Sequence, residues 1–556
     1  MEMKMNLNKN RTMKMKTTLF SLFLAIGALT ITSCSKEDNN DREEEATFQA
    51  VQFRMAEEGF GTETELTRAS SIPSAPALSE VGDCETETTL ESEPAEKPTA
   101  ATRGVTTPTH YTIRAYLNGA VYREIKGTFT ATGFTPDAGS AAEIELRRKK
   151  TYDIVCFNDQ VTPVGNKLEV TLANAATARI GRKRVTLITT DQTINLSARH
   201  VGVRVRTQIV AKKDIPTAIT NKLQSTGNNI PQKVSYNPTD GSYTSLSDAA
   251  MNIANDSPAS TEAKYTASNY GKTYAYTSTA DYHYFLPTTE VANLKLNITG
   301  GKIFWKPLNG DINKLANGNH TFVANGTYCI KVKMSPKYTY LFNDGSSGFL
   351  SNAGARKPVG IVVDFDKRIA VALKNAGTEI KWSDGSQKET QSNTTMAVRD
   401  AFDMFKDFND YTWSTTYSKN TIIRGNDAIN YPAFYAAGQY KPANTTSADA
   451  IYSRRWHLPT MGEWSRLLST LGLVDLSTHS LDPSKSEWEW YGNLVDEAFT
   501  RVGGKLVYPG FFSSSYWTTE EYMVGFVDIV VLPDFRFSLA GSQKKQTRLV
   551  RPFINY

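Results

Sequence analysis

Cysteine and histidine are scarce in this chain of 556 residues, at four and six. Three cysteines follow position 34, and Cys84, Cys156 and Cys329 stand far apart, which excludes a disulfide framework. A single Cys156–Cys329 bridge stays open. In Tyr-Asp-Ile-Val-Cys-Phe, Cys156 shares a strand face with Tyr152 and Ile154 and reads as core, whereas Cys329 falls with Lys331 and Lys333 on a polar face. No histidine has a second histidine or a cysteine at metal-ligand spacing, so neither metal nor cofactor is expected. Carboxylates such as Asp496 and Glu497 read as solvated helix faces. Charge of one sign is lacking too. Lys and Arg number 62 against 57 Asp and Glu, and the segment before Cys34 holds five basic residues and one acid of that balance. The chain from Cys34 onward is close to neutral, with no broad basic bias to suggest nucleic acid. No apolar run beyond the first 34 residues is long enough to span a membrane. A hydrophobic content of 40% can still support cores, and the length suits three or four domains of roughly 100–200 residues.

What is present begins at the N-terminus. Lys4, Lys9, Arg11, Lys14 and Lys16 precede an apolar stretch from Thr17 to Thr30, which closes on Ile31-Thr32-Ser33-Cys34. This is a secretory signal over residues 1–33, shorter than the roughly 20 apolar residues of a membrane helix. Small residues directly before Cys34 resemble a lipobox, the signature of bacterial lipoproteins. The resemblance implies cleavage before Cys34, lipidation there, and an exported chain anchored to the outer membrane. An ordinary signal peptide with a chance cysteine is the alternative. Residues 34–45 are polar and acidic and read as a flexible tether; Lys36-Glu37-Asp38 resembles the signal that sends some lipoproteins to the outer cell surface.

Residues 46–108 are expected to hold one strand, Ala46 to Met55, followed by a segment from Ser70 to Pro108 rich in Ser, Thr, Pro, Ala and Glu. Such a segment is not expected to order itself. Arg68 and Arg103 flank it and suit a trypsin-like protease, Arg103 being preferred because Gly104 follows and ordered strands begin at Thr109. From there the pattern has period two. Tyr111, Ile113, Ala115 and Leu117 alternate with polar partners, as do Val201, Val203 and Val205, and Tyr328, Ile330, Val332 and Met334. Half-buried antiparallel strands produce this alternation. Two tandem β-sandwich domains are expected, residues 109–190 (with strand 46–55) and 191–340, meeting near Asp191.

The order of lipobox, early strand, Arg-marked segment, Tyr-Thr-Ile-Arg-Ala-Tyr, Lys-Lys-Thr-Tyr-Asp-Ile-Val-Cys-Phe-Asn and Ile-Asn-Leu-Ser-Ala-Arg-His-Val-Gly-Val-Arg-Val-Arg resembles the fimbrillin-like proteins, subunits of type V pili, over residues 46–335. That resemblance implies transthyretin-like sandwiches, removal of the early strand, and polymerisation with other fimbrial subunits by strand donation. Ordinary subunits donate a C-terminal extension, whereas a separate domain occupies that end here. The departure favours a tip or minor subunit.

After Pro336 helical spacing enters. Val398, Ala401, Phe402, Phe405 and Phe408 make one candidate helix, capped by Thr394 or Thr395. In Trp456-His-Leu-Pro-Thr-Met-Gly-Glu-Trp464, Thr460 and Glu463 form a capping box; Trp464, Leu467, Leu468 and Leu471 form the buried stripe, and Gly472 is expected to stop the helix. A third helix is expected from Trp488 to Phe499, then short strands to Phe553. The first motif, with Gly503-Gly504, Ser515-Tyr-Trp-Thr518 and Arg548-Leu-Val-Arg551, resembles the FISUMP domain, a relative of C-type-lectin-like and formylglycine-generating-enzyme folds, over residues 345–556. The enzymes of that group need paired cysteines or a His-rich iron site. No cysteine follows Cys329, so an enzyme is not expected.

The expected fold is therefore mainly β: two antiparallel sandwiches, then an α+β lectin-like domain. Seven of the eight tryptophans fall in that last domain, and Trp488 and Trp490 are the candidates for an exposed ligand-binding face. The expected function is adhesion to a host or bacterial glycan or protein by a tip or minor fimbrial subunit. The alternative is a surface lipoprotein that binds polysaccharide or protein without polymerising.

Overall fold

A computed structural model of the chain describes residues 47–61, 75–93, 105, 107–188, 192–262, 271–384, 425–443, 445–476, 487–508, 514–523, 525–533 and 535–556. All elements belong to the unit Phe48–Tyr556. The protein is mainly β, with three α-helices among the described residues.

The first strand, β1, covers Phe48–Glu57 and buries alternate residues. It is an inner strand of an eight-stranded sheet. Gln192–His200 pairs with it in parallel, from Val51↔Gln192 to Glu57↔Ala198, and Ile144–Arg147 pairs on its other side, antiparallel. Thr109–Leu117, Thr151–Asn158 and Arg179–Thr186 continue the sheet. One core lies against a single face of this sheet and unites Val51, Phe53 and Met55 with Tyr111, Ile113, Ile154 and Cys156. A second core, with Phe157, Leu168, Val234 and Tyr236, separates the opposite face from a four-stranded sheet. Thr151–Asn158 serves both cores and is buried on both faces from Tyr152 onward.

The sheets cross the boundary expected near Asp191. Gln192–His200 belongs to the first sheet, and Ile230–Tyr236 pairs with Lys167–Thr171. Strand order is also not wholly antiparallel, because Val203–Ala211 pairs in parallel with Thr327–Pro336. Alternation along a strand reports its buried face, not the direction of its neighbour.

A second sandwich packs the sheet containing those two strands against Thr220–Ser225 and Leu294–Gly300. Here the expectation for Ser70 to Pro108 fails. Ala77–Val81 (β2) and Cys84–Ser92 (β3) form a hairpin, and β3 extends the sheet along Thr327–Pro336 from Tyr328↔Ser92 to Pro336↔Cys84. Composition averages conceal the cause. Cys84, Thr86 and Thr88 are buried while Glu87 and Glu91 face out, a period-two pattern written in polar residues. Gly82, at φ +55°, permits the two-residue turn.

Cys84, Cys156 and Cys329 are free and buried, and Cys156 and Cys329 belong to different sheets. Cys329 shares a strand face with Lys331 and Lys333 as expected, opposite Arg206 and Glu91, yet is only 3% exposed. Burial pushes its thiol up to about 12.

The described residues between 339 and 556 form two further sheets around the helix Met461–Thr470. Its capping box is complete: Thr460 N donates to Glu463 Oε2 at 2.9 Å, and Glu463 N to Thr460 Oγ1 at 3.2 Å. The helix ends before Gly472, and the left-handed residue after it is Leu473, at φ 53°. Gly472 is required instead by close approach, since a Cβ there would lie 2.7 Å from both the Leu468 carbonyl and the Trp490 ring. The helix expected from Trp488 begins later. Glu487–Glu489 is a strand opposite Arg536–Gln543, and the helix runs Gly492–Thr500. The candidate helix around Val398 to Phe408 lies outside the described residues.

Gly472→Ala is expected to destabilise the protein by about 1–3 kcal/mol through overpacking. Urea unfolding checks this; an unchanged midpoint would mean that Leu468 and Trp490 yield freely.

Candidate functional site

The last residue of β1 and those that follow fasten it. Tyr111 donates its hydroxyl to Glu57 Oε1 at 2.7 Å. Arg199 Nε donates to Glu58 Oε2 at 2.9 Å, Ser197 donates to the same carboxylate, and Arg179 donates to the Glu58 carbonyl at 2.7 Å. The Phe60 ring stacks on His200, with centroids 3.7 Å apart and planes 10° apart, and the Arg204 guanidinium lies 5.4 Å from the Phe60 centroid. Gly61 N reaches the Asn325 carbonyl in the second sandwich at 2.8 Å. Burial, helped by Arg179, lowers the His200 pKa to about 3, so this imidazole is neutral at ordinary pH. Burial and then the Glu57 hydrogen bond push the Tyr111 hydroxyl far up. These groups hold a strand and form no nucleophile–base array. Beside β1 a cleft of about 460 Å³ opens against Ile125 and Ile144.

Cys34, Arg68 and Arg103 lie outside the described residues. Trp488 and Trp490 are described, and neither offers an exposed face. They are 8% and 1% exposed. Trp488 stacks on its cross-strand partner Phe537 at 5.2 Å, and Trp490 Nε1 donates to the Pro533 carbonyl at 2.7 Å. The strand that replaced the expected helix turns both rings into the core. The exposed indole among the described residues is Trp305, at 42%. It shares the tip of a tight hairpin with Phe304, and both have positive φ, 62° and 53°. Bulky residues seldom adopt that conformation. Nothing in Lys-Ile-Phe-Trp-Lys-Pro resembles the usual Asn-Gly signal for such a turn.

Asp496 and Glu497 are not solvated as expected. Asp496 Oδ1 accepts from Leu506 N and Val507 N at 3.0 and 2.8 Å, and burial raises its pKa. Glu497 accepts from Lys212 at 2.7 Å and Arg501 at 2.9 Å; burial would raise its pKa, but these cations outweigh that and hold it low. Arg501 also reaches Glu85 of β3 at 2.6 Å. Tyr338 and Tyr340 donate to the Leu494 and Ala498 carbonyls at 2.9 and 2.8 Å. The helix Gly492–Thr500 thus joins the C-terminal sheets to the second sandwich, whose core includes Tyr491 and Leu494.

His457 Nε2 lies 2.7 Å from Glu463 Oε1 and is buried. Among the described residues no His, Cys, Asp and Glu are grouped to hold a metal ion, and no helix is long and apolar enough to cross a membrane.

No family model matches the chain, and no curated protein matches it. Solved structures similar to it come from fimbrial and cell-adhesion proteins. A candidate cell adhesion protein from Bacteroides uniformis is 15% identical, over 41% of this chain and 91% of its own, with a TM-score of 0.28. A fimbrial protein from Bacteroides ovatus is 12% identical, over 92% of this chain and 100% of its own, with a TM-score of 0.21. The fimbrial anchor protein Mfa2 from Porphyromonas gingivalis is 11% identical, over 45% of this chain and 78% of its own, also at 0.21. Identities and scores this low carry no residue role across.

One titratable bridge ties the strand Thr109–Leu117 to two turns beside the first core. His110 Nδ1 lies 2.6 Å from Asp159 Oδ1 and its Nε2 2.8 Å from Asp137 Oδ2. Burial pulls the His110 pKa down, but the two carboxylates outweigh it and leave it raised. Its stabilisation is therefore full below the ordinary value of about 6.5 and is lost as pH rises through the raised folded value. His110→Asn is expected to cost more stability at about pH 5.5 than at about pH 8.5. Chemical denaturation at both pH values checks this, and equal losses would contradict it.

Proposed function

We propose that the chain is a lipid-anchored surface protein that joins a fimbria as a minor or tip subunit and mediates adhesion through its C-terminal region. Cys34 is the anchor site. Arg103 or Arg68 is the maturation point. The ligand is a host or bacterial glycan or protein, and no catalytic step is part of the reading.

The observation that supports it most is the position of β1. Ten residues from the N-terminal side occupy an inner slot between a parallel and an antiparallel neighbour. Withdrawing them would leave unpaired backbone donors and acceptors on both neighbours. It would also vacate the space of Val51, Phe53 and Met55, side chains worth about 1.5–3 kcal/mol each when buried. A strand from a neighbouring subunit with the same alternation would refill that slot by β-augmentation. The strand Phe553–Asn555 is paired with Ile369–Ala372 and so is not itself free to be donated. The placement of the capped helix between two sheets is consistent with a C-type-lectin-like domain over residues 345–556.

Intact mass and N-terminal sequencing of protein recovered from cells, with and without an Arg-specific protease, test the reading. A mature start just after Arg68 or Arg103, in a species that enters high-molecular-weight ladders, is expected. A lipidated start at Cys34 throughout, in a species that never oligomerises, would remove the fimbrial role. It would leave a non-polymerising surface lipoprotein that binds polysaccharide or protein.

A further inference from the structure

The strand Ser515–Met523 buries residues that alternation alone would leave outside. Every residue from Ser515 to Glu521 is inside, and the adjacent carboxylates Glu520 and Glu521 are each 2% exposed. The register gives the cause. Trp517 stands opposite Ile529 and Glu521 opposite Val527, so four steps along this strand answer two along its neighbour. Extra residues of this kind re-aim side chains. The two carboxylates take different partners. Glu520 accepts from Met461 N at 2.6 Å, at the start of the capped helix, and from the Thr519 hydroxyl at 3.3 Å. Glu521 accepts from Lys544.

Lys544 comes from a polar run, Gln543-Lys544-Lys545-Gln546, in which Lys545 and Gln546 are exposed. Its own side chain is 0% exposed, against 1% for that of Glu521. The backbone on either side holds it there. Lys544 N donates to the Gly525 carbonyl at 2.9 Å, and its carbonyl accepts from Trp382 N at 3.0 Å and Ser383 N at 3.3 Å. The Lys544 Nζ lies 4.9 Å from the ring centroid of Trp382, which is fully buried in a core with Trp517, Val527 and Ile529. An amine and a carboxyl group are therefore in direct contact inside an apolar core. Two ions placed there lose their hydration, and their mutual attraction offsets that loss only in part.

We propose that Lys544 and Glu521 condense into an intramolecular amide after the chain folds. A proton passes from the ammonium to the carboxylate, which leaves a neutral amine beside a neutral acid. The Nζ lone pair attacks Glu521 Cδ and a C–N bond forms. A second nitrogen proton moves to the hydroxyl oxygen, the C–O bond breaks, and one water leaves. Ammonium and carboxylate thus become amide and water, with no oxidation and no co-reactant. Two features drive the step. The fold holds the reacting groups in contact, where well-oriented intramolecular reactions reach effective concentrations of roughly 10⁵–10⁸ M. The product carries no charge, so the desolvation of both ions is relieved. The bond staples the strand Ser515–Met523 to the chain just beyond Arg536–Gln543, and it is independent of any role in a fimbria.

Tandem mass spectrometry of a tryptic digest of the folded full chain tests this. Trypsin does not cut after an acylated lysine. A branched peptide is therefore expected, joining residues 506–536 to residues 537–545, lighter than its two parts by one water. The linear peptide 506–536 is expected to fall at least about tenfold relative to chain kept in urea from synthesis onward, which has no fixed geometry to promote the step. Lys544→Arg retains the positive charge but forms no such amide, and is expected to abolish the branched peptide. Both linear peptides at full mass in the folded wild type would overturn the proposal. A branched peptide that persists in Lys544→Arg would also overturn it, by placing the bond on another residue. The decisive reading comes from the wild type, so a variant that failed to fold would not shield the proposal.

Discussion

Both N-terminal β cores depend on backbone pairing supplied by residues that precede Thr109. A sheet needs every inner edge paired, because a buried N–H or C=O without a partner is costly. β1 meets that need between Gln192–His200 and Ile144–Arg147, and β3 meets it along Thr327–Pro336. The early segment is thus shared between two sandwiches rather than belonging to one. Glu57 to Gly61 fixes the route between them, reaching Tyr111 and Arg199 of the first sheet and Asn325 of the second sandwich.

The C-terminal sheets are tied in by charge as well as by pairing. Arg501 touches Glu497 of its own helix and Glu85 of β3, while Glu497 also holds Lys212. One cluster of four charges therefore spans the hairpin, the second sandwich and the C-terminal helix. The hydroxyls of Tyr338 and Tyr340 donate to carbonyls of that helix, from the link after Thr327–Pro336 and from the strand Thr339–Phe342. Removing the hairpin would strip Arg501 of one carboxylate and leave it Glu497.

The elements most legible in the sequence were those whose signal is local. The Thr460–Glu463 box places a helix start to the residue, and the alternation of Tyr111, Ile113 and Ala115 identifies the inward face of its strand. Cys156 joined Tyr152 and Ile154 in one core as its spacing implies. Pairing direction was not legible, since a parallel partner such as Gln192–His200 is chosen by long-range topology. β3 was missed because its inward residues are threonines, which a hydropathy pattern reads as polar. Trp488 and Trp490 were misplaced for a related reason: three residues of strand precede the helix, and strand pairing with Arg536–Gln543 turns the rings inward. At the candidate site, the early strand was visible, whereas its fastening by Phe60 on His200 depends on residues 140 positions apart and has no sequence signature.

The way β1 is seated has a mechanical consequence. Its hydrogen bonds to Gln192–His200 run across the strand, as in any ladder. A pull along the axis of β1 loads these bonds together, in shear. A sideways pull from one end opens them in turn, like a zipper. The same ten residues resist sliding and yield to peeling, so the direction of force decides how readily they leave.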